Sequence, residues 1–436
     1  MMISISICLL CLSNSPQDSE ASETGGEQAR VLRGVAAEVS RDVAGIRGKP
    51  FRGPVQVKVA GRAAFLEYAR ERMNSLHGPE RMGLDQQVAR LAGLIPRGMD
   101  LEQVTLDVLQ EQVGGFYEPT TDTFYVMDDL EPDLARLVMA HELAHALDDQ
   151  YHDLDGTDVQ LRSNSDALLA HHAVAEGSAQ VVMGSWLQAN LASLNLEALR
   201  KQQEALASDA LQAAPPFVWK PLLGLYAQGQ AFLERSAVLR TQLKSANFAD
   251  LESVFQDLPQ STEQILHPNK YWDESTRDLP LHVQLDDTEL AAGWKLALED
   301  TFGELMLALV CEPLAQRGGM STSPRALAAL RYTNQAASGW GGDRYALLRK
   351  GEAEILYSVT AWDTDADGSE FLEAMESLQG ELRSQVRAGD ALFGFQVKRV
   401  SERRVDWMAW KSIDEALVSA VVESMKVRVS SGVARK

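Results

Sequence analysis

Apolar positions along the chain switch between helical and strand spacing in an order that predicts a mixed α+β fold. Val31, Val35, Val39 and Val43 recur every fourth residue and predict a helix over 27–46, and PVQVKVA at 54–60 alternates like a half-buried strand. Helical spacing returns at 62–73 and 85–94. The segment VGGFYEPTTDTFYVM at 113–127 sets two aromatic runs about a Pro-Thr-Thr-Asp turn, which predicts a β-hairpin. Glu131 and Pro132 open a helix carrying LARLVMAHELAHALDDQ, and a second long helix is expected over 166–191. More helix is expected to about 244, interrupted at Ala214-Pro215-Pro216. Residues 257–285, rich in Pro, Asp and His, read as ordered loop, and helix resumes over 301–314. Past Trp340-Gly341-Gly342 the texture changes: strands at 353–361 and 391–410 flank a helix at 369–383, and a last helix covers 412–426. No repeat of fixed period is visible.

Composition narrows the class. With 436 residues, 45% hydrophobic and 24% charged, the chain can bury a large core, which excludes a disordered or fibrous protein. Its 62 acidic residues exceed its 41 basic ones, and the net charge of −21 argues against a nucleic-acid or anionic-membrane partner. No apolar run reaches the ~20 residues of a membrane-spanning helix, so no transmembrane span is expected in the mature chain.

At the N-terminus, ISISICLLCL at 3–12 has the apolarity of a signal-peptide core, although no Lys or Arg precedes Arg30. The Ser/Glu/Gly-rich stretch that follows suits a tether, so residues 1–29 read as a signal-like segment and polar tether. An exported protein is therefore expected, in the cell envelope, periplasm or medium. A lipid anchor at Cys8 or Cys11 is the alternative to a cleaved leader, although neither is preceded by the small residue that a lipoprotein cleavage site prefers. Cys311, the third cysteine, would remain alone, which excludes a disulfide framework.

The candidate chemistry lies in His141-Glu142-Leu143-Ala144-His145, inside the apolar helical run 137–147. Residues i and i+4 share a helix face, so both imidazoles reach one metal ion, with Glu142 beside them to hold a metal-bound water. Zinc suits neutral imidazole ligands and lowers the pKa of a bound water toward ~7. Glu142 is then the general base, passing the water's proton to the leaving amine.

A catalytic zinc needs a third protein ligand. A third histidine six residues after His145 is excluded, because Tyr151 stands there and His152 is one place off. Glu176, in AVAEGSA, is the better candidate: a carboxylate on so apolar a helix is costly to bury unless paired or metal-bound. Gly177 would let the two helices approach closely. His172 lies at i−4 on the same face as Glu176 and stays open as a ligand, a supporting group or a substrate contact, and His171 precedes it. Asp149, one turn after His145, is the candidate for orienting an imidazole.

The string HELAHALDDQYHDL, preceded by GFYEPTTDTFYV and followed by VAEGSA, resembles the thermolysin-like gluzincin zinc peptidases. It is still more similar to a largely uncharacterised microbial family of HExxH proteins, a likeness that extends to QSTEQILHP at 260–268, FGEL at 302–305 and GWGGDRY at 339–345. The resemblance implies His141, His145 and Glu176 as zinc ligands and Glu142 as base. It also implies a zincin-like metallopeptidase domain over 30–340, a small sheet with an active-site helix and a glutamate-ligand helix, followed by mainly helical structure. The change of texture past 340 separately makes residues 341–436 a C-terminal α+β region, either a small subdomain or an extension of the first sheet. Gln180 departs from the thermolysin pattern, in which an Asp four residues after the glutamate ligand orients a histidine. In gluzincins a downstream His or Tyr stabilises the oxyanion, which makes His267 the tentative second catalytic residue, with Tyr271 and Tyr345 as competitors. The gluzincin likeness further implies that strand 123–127 takes a peptide or protein substrate by edge addition.

Asp363-Thr364-Asp365-Ala366-Asp367-Gly368 imitates a calcium loop, but its twelfth position is Ala374, so a strand end turning into a helix is expected instead. The sequence thus predicts a zinc-dependent peptidase with one zinc per chain. The principal rival is a cell-envelope binding protein that keeps the fold without catalysis, for which Glu142 has no chemical purpose. A metal-dependent hydrolase or deaminase of a small molecule is a third reading, favoured by a closed pocket, and the Cys-x-x-Cys of zinc deaminases is missing.

Overall fold

The computed structural model describes residues 23–205, 209–235, 248–321, 323–385 and 393–431. The signal-like segment, with Cys8 and Cys11, lies outside them, as do 236–247 of the expected helical middle. The described chain is α+β. It opens with helix α1 (Glu23–Arg47), which begins inside the stretch read as tether. Strand β1 (Gln56–Ala60), helices α2 (Arg62–His77), α3 (Arg81–Leu91) and α4 (Leu101–Gln112), and the hairpin β2 (Gly115–Glu118) and β3 (Thr123–Met127) follow.

Every residue of β3 is buried because both faces are covered. Phe124 and Val126 enter a core with Val39 and Val43 of α1, whereas Tyr125 and Met127 enter the opposite core with Phe65, Phe116 and Leu109. Two-residue periodicity sorts an all-apolar strand between two cores. The sheet order is β1-β3-β2, with β1 parallel and β2 antiparallel to β3. This corrects the expectation of edge addition at 123–127: β3 is central, its hydrogen bonds are taken on both sides, and β1 and β2 are the edges.

Helix α5 (Pro132–His152) packs on this sheet, and α6 (Leu154–Leu161) leads into α7 (Ser165–Asn190). The Glu131 side chain accepts from the Asp133 and Leu134 N–H groups with Pro132 in the first turn, and the Asn164 side chain accepts from the Ala167 N–H, so each helix starts at a residue chosen to cap it. Both are apolar around most of their circumference, as helices enclosed on all sides must be. The middle adds α8 (Leu196–Ala205), α9 (Asp209–Ala213), α10 (Pro216–Leu233) and α11 (Phe248–Gln256). The expected loop at 257–285 contains two short helices, α12 (Thr262–Leu266) and α13 (Asn269–Trp272), and most of strand β4 (His282–Asp286).

Then come β5 (Lys295–Asp300), α14 (Gly303–Val310), α15 (Pro324–Ala329), β6 (Trp340–Lys350), β7 (Ala353–Trp362), α16 (Asp365–Gln385), β8 (Gly394–Ser401), β9 (Arg404–Lys411), α17 (Glu415–Glu423) and β10 (Lys426–Ser430). The expected strand at 391–410 is the hairpin β8–β9. Five of these strands form an antiparallel sheet of order β5-β6-β7-β9-β8, so the sheet reaches back past the boundary expected at 340. One face, with Leu356 and Trp407, packs on α3, α14 and α16; the other, with Tyr357 and Trp410, packs on α17 and the β4–β10 ribbon. Among the described residues no helix is long and apolar enough to cross a membrane.

Candidate metal centre

Helices α5 and α7 cross so that three of the sequence-predicted side chains converge. The Nε2 atoms of His141 and His145 lie 3.0 Å apart, and the Glu176 Oε2 lies 3.1 Å from the first and 3.5 Å from the second. A tetrahedral ion with bonds of about 2.05 Å needs donor separations of about 3.4 Å, so the donor set fits zinc in number, type and spacing. His141 and His145 are fully buried, Glu176 is 3% exposed, and Glu142 is buried beside them. Burial alone would push the Glu176 carboxyl up, but His145 and His141 outweigh it and hold it at about 2.

Two layers of packing fix this crossing. On the sheet side, the Asp148 carboxylate accepts hydrogen bonds from Ser178 of α7 and from Arg47 at the end of α1, one turn beyond His145. All three side chains are buried. On the other side α10 presses against α7. Gly177 abuts Gly229, where a β-carbon would overlap the Ala173 carbonyl oxygen, so the close approach that Gly177 permits is to α10 and not to α5. Tyr226 of α10 brings its ring to 5.9 Å from that of His141.

The remaining candidates fall elsewhere. Asp149 accepts from the Tyr117 hydroxyl at 3.1 Å and from the Leu154 N–H at 2.9 Å, fastening β2 and the start of α6; it does not orient an imidazole. Burial lifts its carboxyl to about 6 against those two hydrogen bonds. His267 closes α12 with its Nε2 2.8 Å from Glu304, which also accepts from Thr333. The Tyr271 hydroxyl donates to the Asp257 carbonyl, and the Tyr345 ring packs on Phe302. Among the described residues, none of these bonds runs to the histidine–glutamate cluster. QSTEQILHP, FGEL and GWGGDRY instead meet one another: the Leu305 N–H donates to the Thr262 hydroxyl, and Asp343 accepts from the Phe302 and Gly303 N–H groups, while the Thr262 N–H and hydroxyl donate to Asp166 of α7.

Asp158 was not singled out in the sequence, yet it sits at the centre of a second polar group. Its Oδ1 lies 3.0 Å from His172 Nε2 and 3.6 Å from His171 Nε2, and its Oδ2 lies 3.7 Å from the Arg72 guanidinium. Glu263, Asp278 and Asp363 form another acidic cluster, but the Lys270 ammonium stands among them at 2.6, 2.9 and 2.6 Å and supplies the cation itself. The remainder of the calcium-like string begins α16, where Asp367 accepts from the Thr364 N–H and hydroxyl.

A cleft of about 1090 Å³ lies between the start of α7, residues 255–260 and the β4–β10 ribbon. Nine residues of helix separate Ala167 on its wall from Glu176, roughly 14 Å. A family model described as a domain of unknown function (DUF8575) matches residues 289–416, which span the five-stranded sheet. No curated protein and no solved structure matches the chain.

Proposed function

We propose that the chain is a zinc-dependent peptidase, exported by its N-terminal segment, that hydrolyses peptide bonds with Glu142 as general base. The observation that carries this reading is the spacing of the His141, His145 and Glu176 donors with Glu142 buried next to them. The likeness of the two motifs to gluzincin peptidases supports it. Zinc, when bound, would polarise the substrate carbonyl and make water acidic enough to be deprotonated near neutral pH.

The protein's own residues do the rest. His141, His145 and Glu176 hold the ion, and Asp148, Ser178 and Arg47 keep α5 and α7 in register. Glu142 accepts the proton of the attacking water and returns it to the amine as the carbon–nitrogen bond breaks. Burial of the cluster excludes bulk water and strengthens every charge–dipole contact within it.

One observation favours a second reading. The cluster is enclosed, β3 offers no free edge, and the large cleft is distant, an arrangement that suits a hydrolase of a small molecule. Elemental analysis of the purified chain tests the common premise: about one zinc in wild type, lost in Glu176→Ala and kept in His172→Ala. No tightly bound divalent metal after zinc reconstitution would refute both readings. If zinc is present, hydrolysis of a peptide library, abolished by Glu142→Gln, decides for the peptidase.

A further inference from the structure

His172 is set apart from the other polar groups near the cluster by its exposure. His141, Glu142, His145 and Asp158 are closed to solvent and His171 nearly so, whereas the His172 side chain is 20% exposed. It stands one helical turn before Glu176 on the same face of α7, a spacing that puts the two β-carbons roughly 6 Å apart.

Its ring is held in one orientation. Nε2 meets Asp158 at 3.0 Å, and Arg72, 2% exposed, backs Asp158 from α2. Among the described residues no hydrogen bond is made by Nδ1. The Asp158 carboxylate can only accept, so Nε2 carries a proton toward it, and Nδ1 is a donor as well when the ring is the imidazolium that this ion pair favours. Burial pushes the His172 pKa down, but Asp158 more than offsets this and holds it above its ordinary value.

We propose that His172, oriented by Asp158, is the catalytic residue that donates a hydrogen bond from Nδ1–H to the substrate oxygen on which negative charge develops. The inference rests on the metal-centre reading above. In the step it serves, the water oxygen bonds to the carbonyl carbon, the water proton passes to Glu142, and the carbonyl π pair moves onto its oxygen. His172 stabilises that oxygen by hydrogen bonding without giving up its proton, and Asp158 and Arg72 are positioning residues. The role assigns to α7 what sequence likeness placed at His267, whose Nε2 is engaged by Glu304.

The test uses the full chain loaded with cobalt(II) and titrated with acetohydroxamate, followed through the visible bands of the ion. An oxyanion on the ion then stands in for the developing charge, and no peptide substrate is needed. His172→Ala should keep one cobalt per chain and weaken the probe about 10- to 100-fold, the range for a hydrogen bond to a charged group. His172→Asn, which keeps a donor at the δ position, should recover much of that loss, and Asp158→Asn should weaken the probe by a smaller factor. A purely structural role predicts no such recovery. Stoichiometric cobalt with wild-type probe affinity in His172→Ala would overturn the role of His172 and leave the metal centre standing. Failure of wild type to bind cobalt would overturn the metal centre, and this inference with it.

Discussion

Glycine at 177 lets the glutamate-bearing helix sit against α10, and Gly177→Ala measures how closely zinc affinity depends on that contact. A β-carbon at 177 would lie 2.6 Å from the Gly229 carbonyl oxygen and 2.9 Å from the Gln230 nitrogen, both backbone atoms that no rotamer change can move. Ordinary contact of about 3.4 Å requires the helices to part by at least about 0.8 Å, since the Gly229 carbonyl carbon would lie closer still, and overpacking of this kind costs about 1–3 kcal/mol. The displaced residue adjoins Glu176, whose carboxylate lies 3.1 Å from His141. Because bond lengths at a metal tolerate only about 0.2 Å, zinc affinity should fall by about 10- to 100-fold. Competition with a chromophoric chelator reads the affinity, and thermal unfolding of apo and zinc-loaded protein reads the packing cost. Gly184→Ala, on the same helix with open space around the added carbon, is the control and should be neutral or slightly stabilising. Were Gly177→Ala to bind zinc and melt like Gly184→Ala, the claim that the α7–α10 crossing sets the ligand geometry would be refuted.

Three further outcomes follow from the same geometry. Glu142→Gln should retain zinc while hydrolysis falls by about 10²–10⁴-fold; unchanged turnover would remove Glu142 as base. Arg47→Ala leaves the buried Asp148 carboxylate with Ser178 alone and should destabilise the fold by about 3–5 kcal/mol in urea, whereas Arg47→Met combined with Asp148→Asn should restore part of the loss. Burial lifts the Asp166 carboxyl to about 8 against its hydrogen bonds from Thr262, so the folded chain holds a proton that the unfolded chain releases near pH 4. Stability should therefore fall as pH rises from about 4 to 8, and Asp166→Asn should flatten the upper part of that slope by up to about 1.4 kcal/mol per pH unit. Parallel pH profiles in the two proteins would count against it.

What the sequence revealed was local. The i, i+4 histidines, the carboxylate on an apolar helix, the capping of α5 and the turn between β2 and β3 all depend on neighbours within a few residues, and the structure brings His141, His145 and Glu176 together. What it hid was pairing at a distance. The string TFYVM has the same text whether β3 is central or an edge, and only β1, far upstream, decides. Strands β5 and β6 have no clean two-residue period to read: KLALED is six residues long and mostly half-buried, and WGGDRYALLRK opens on two glycines and carries Asp343 and Arg344 within its covered part. Helix α4 does carry a local signal, Asp100 capping a run with Leu101, Val104 and Val108. Gly229 and Tyr226 have no mark of their function in α10, because what they touch belongs to another helix.

Strand β10 pairs with β4 although every other strand and helix lies at or before α17 in the chain. During synthesis the β4 edge is therefore made about 140 residues before its partner and waits, unpaired on that side, until Lys426–Ser430 emerges. An open strand edge is where neighbouring chains join, so nascent or truncated forms ending before Lys426 are the species most prone to aggregate. In the cell, chaperone protection of this edge is needed until Lys426–Ser430 has been made, long after α5 and α7.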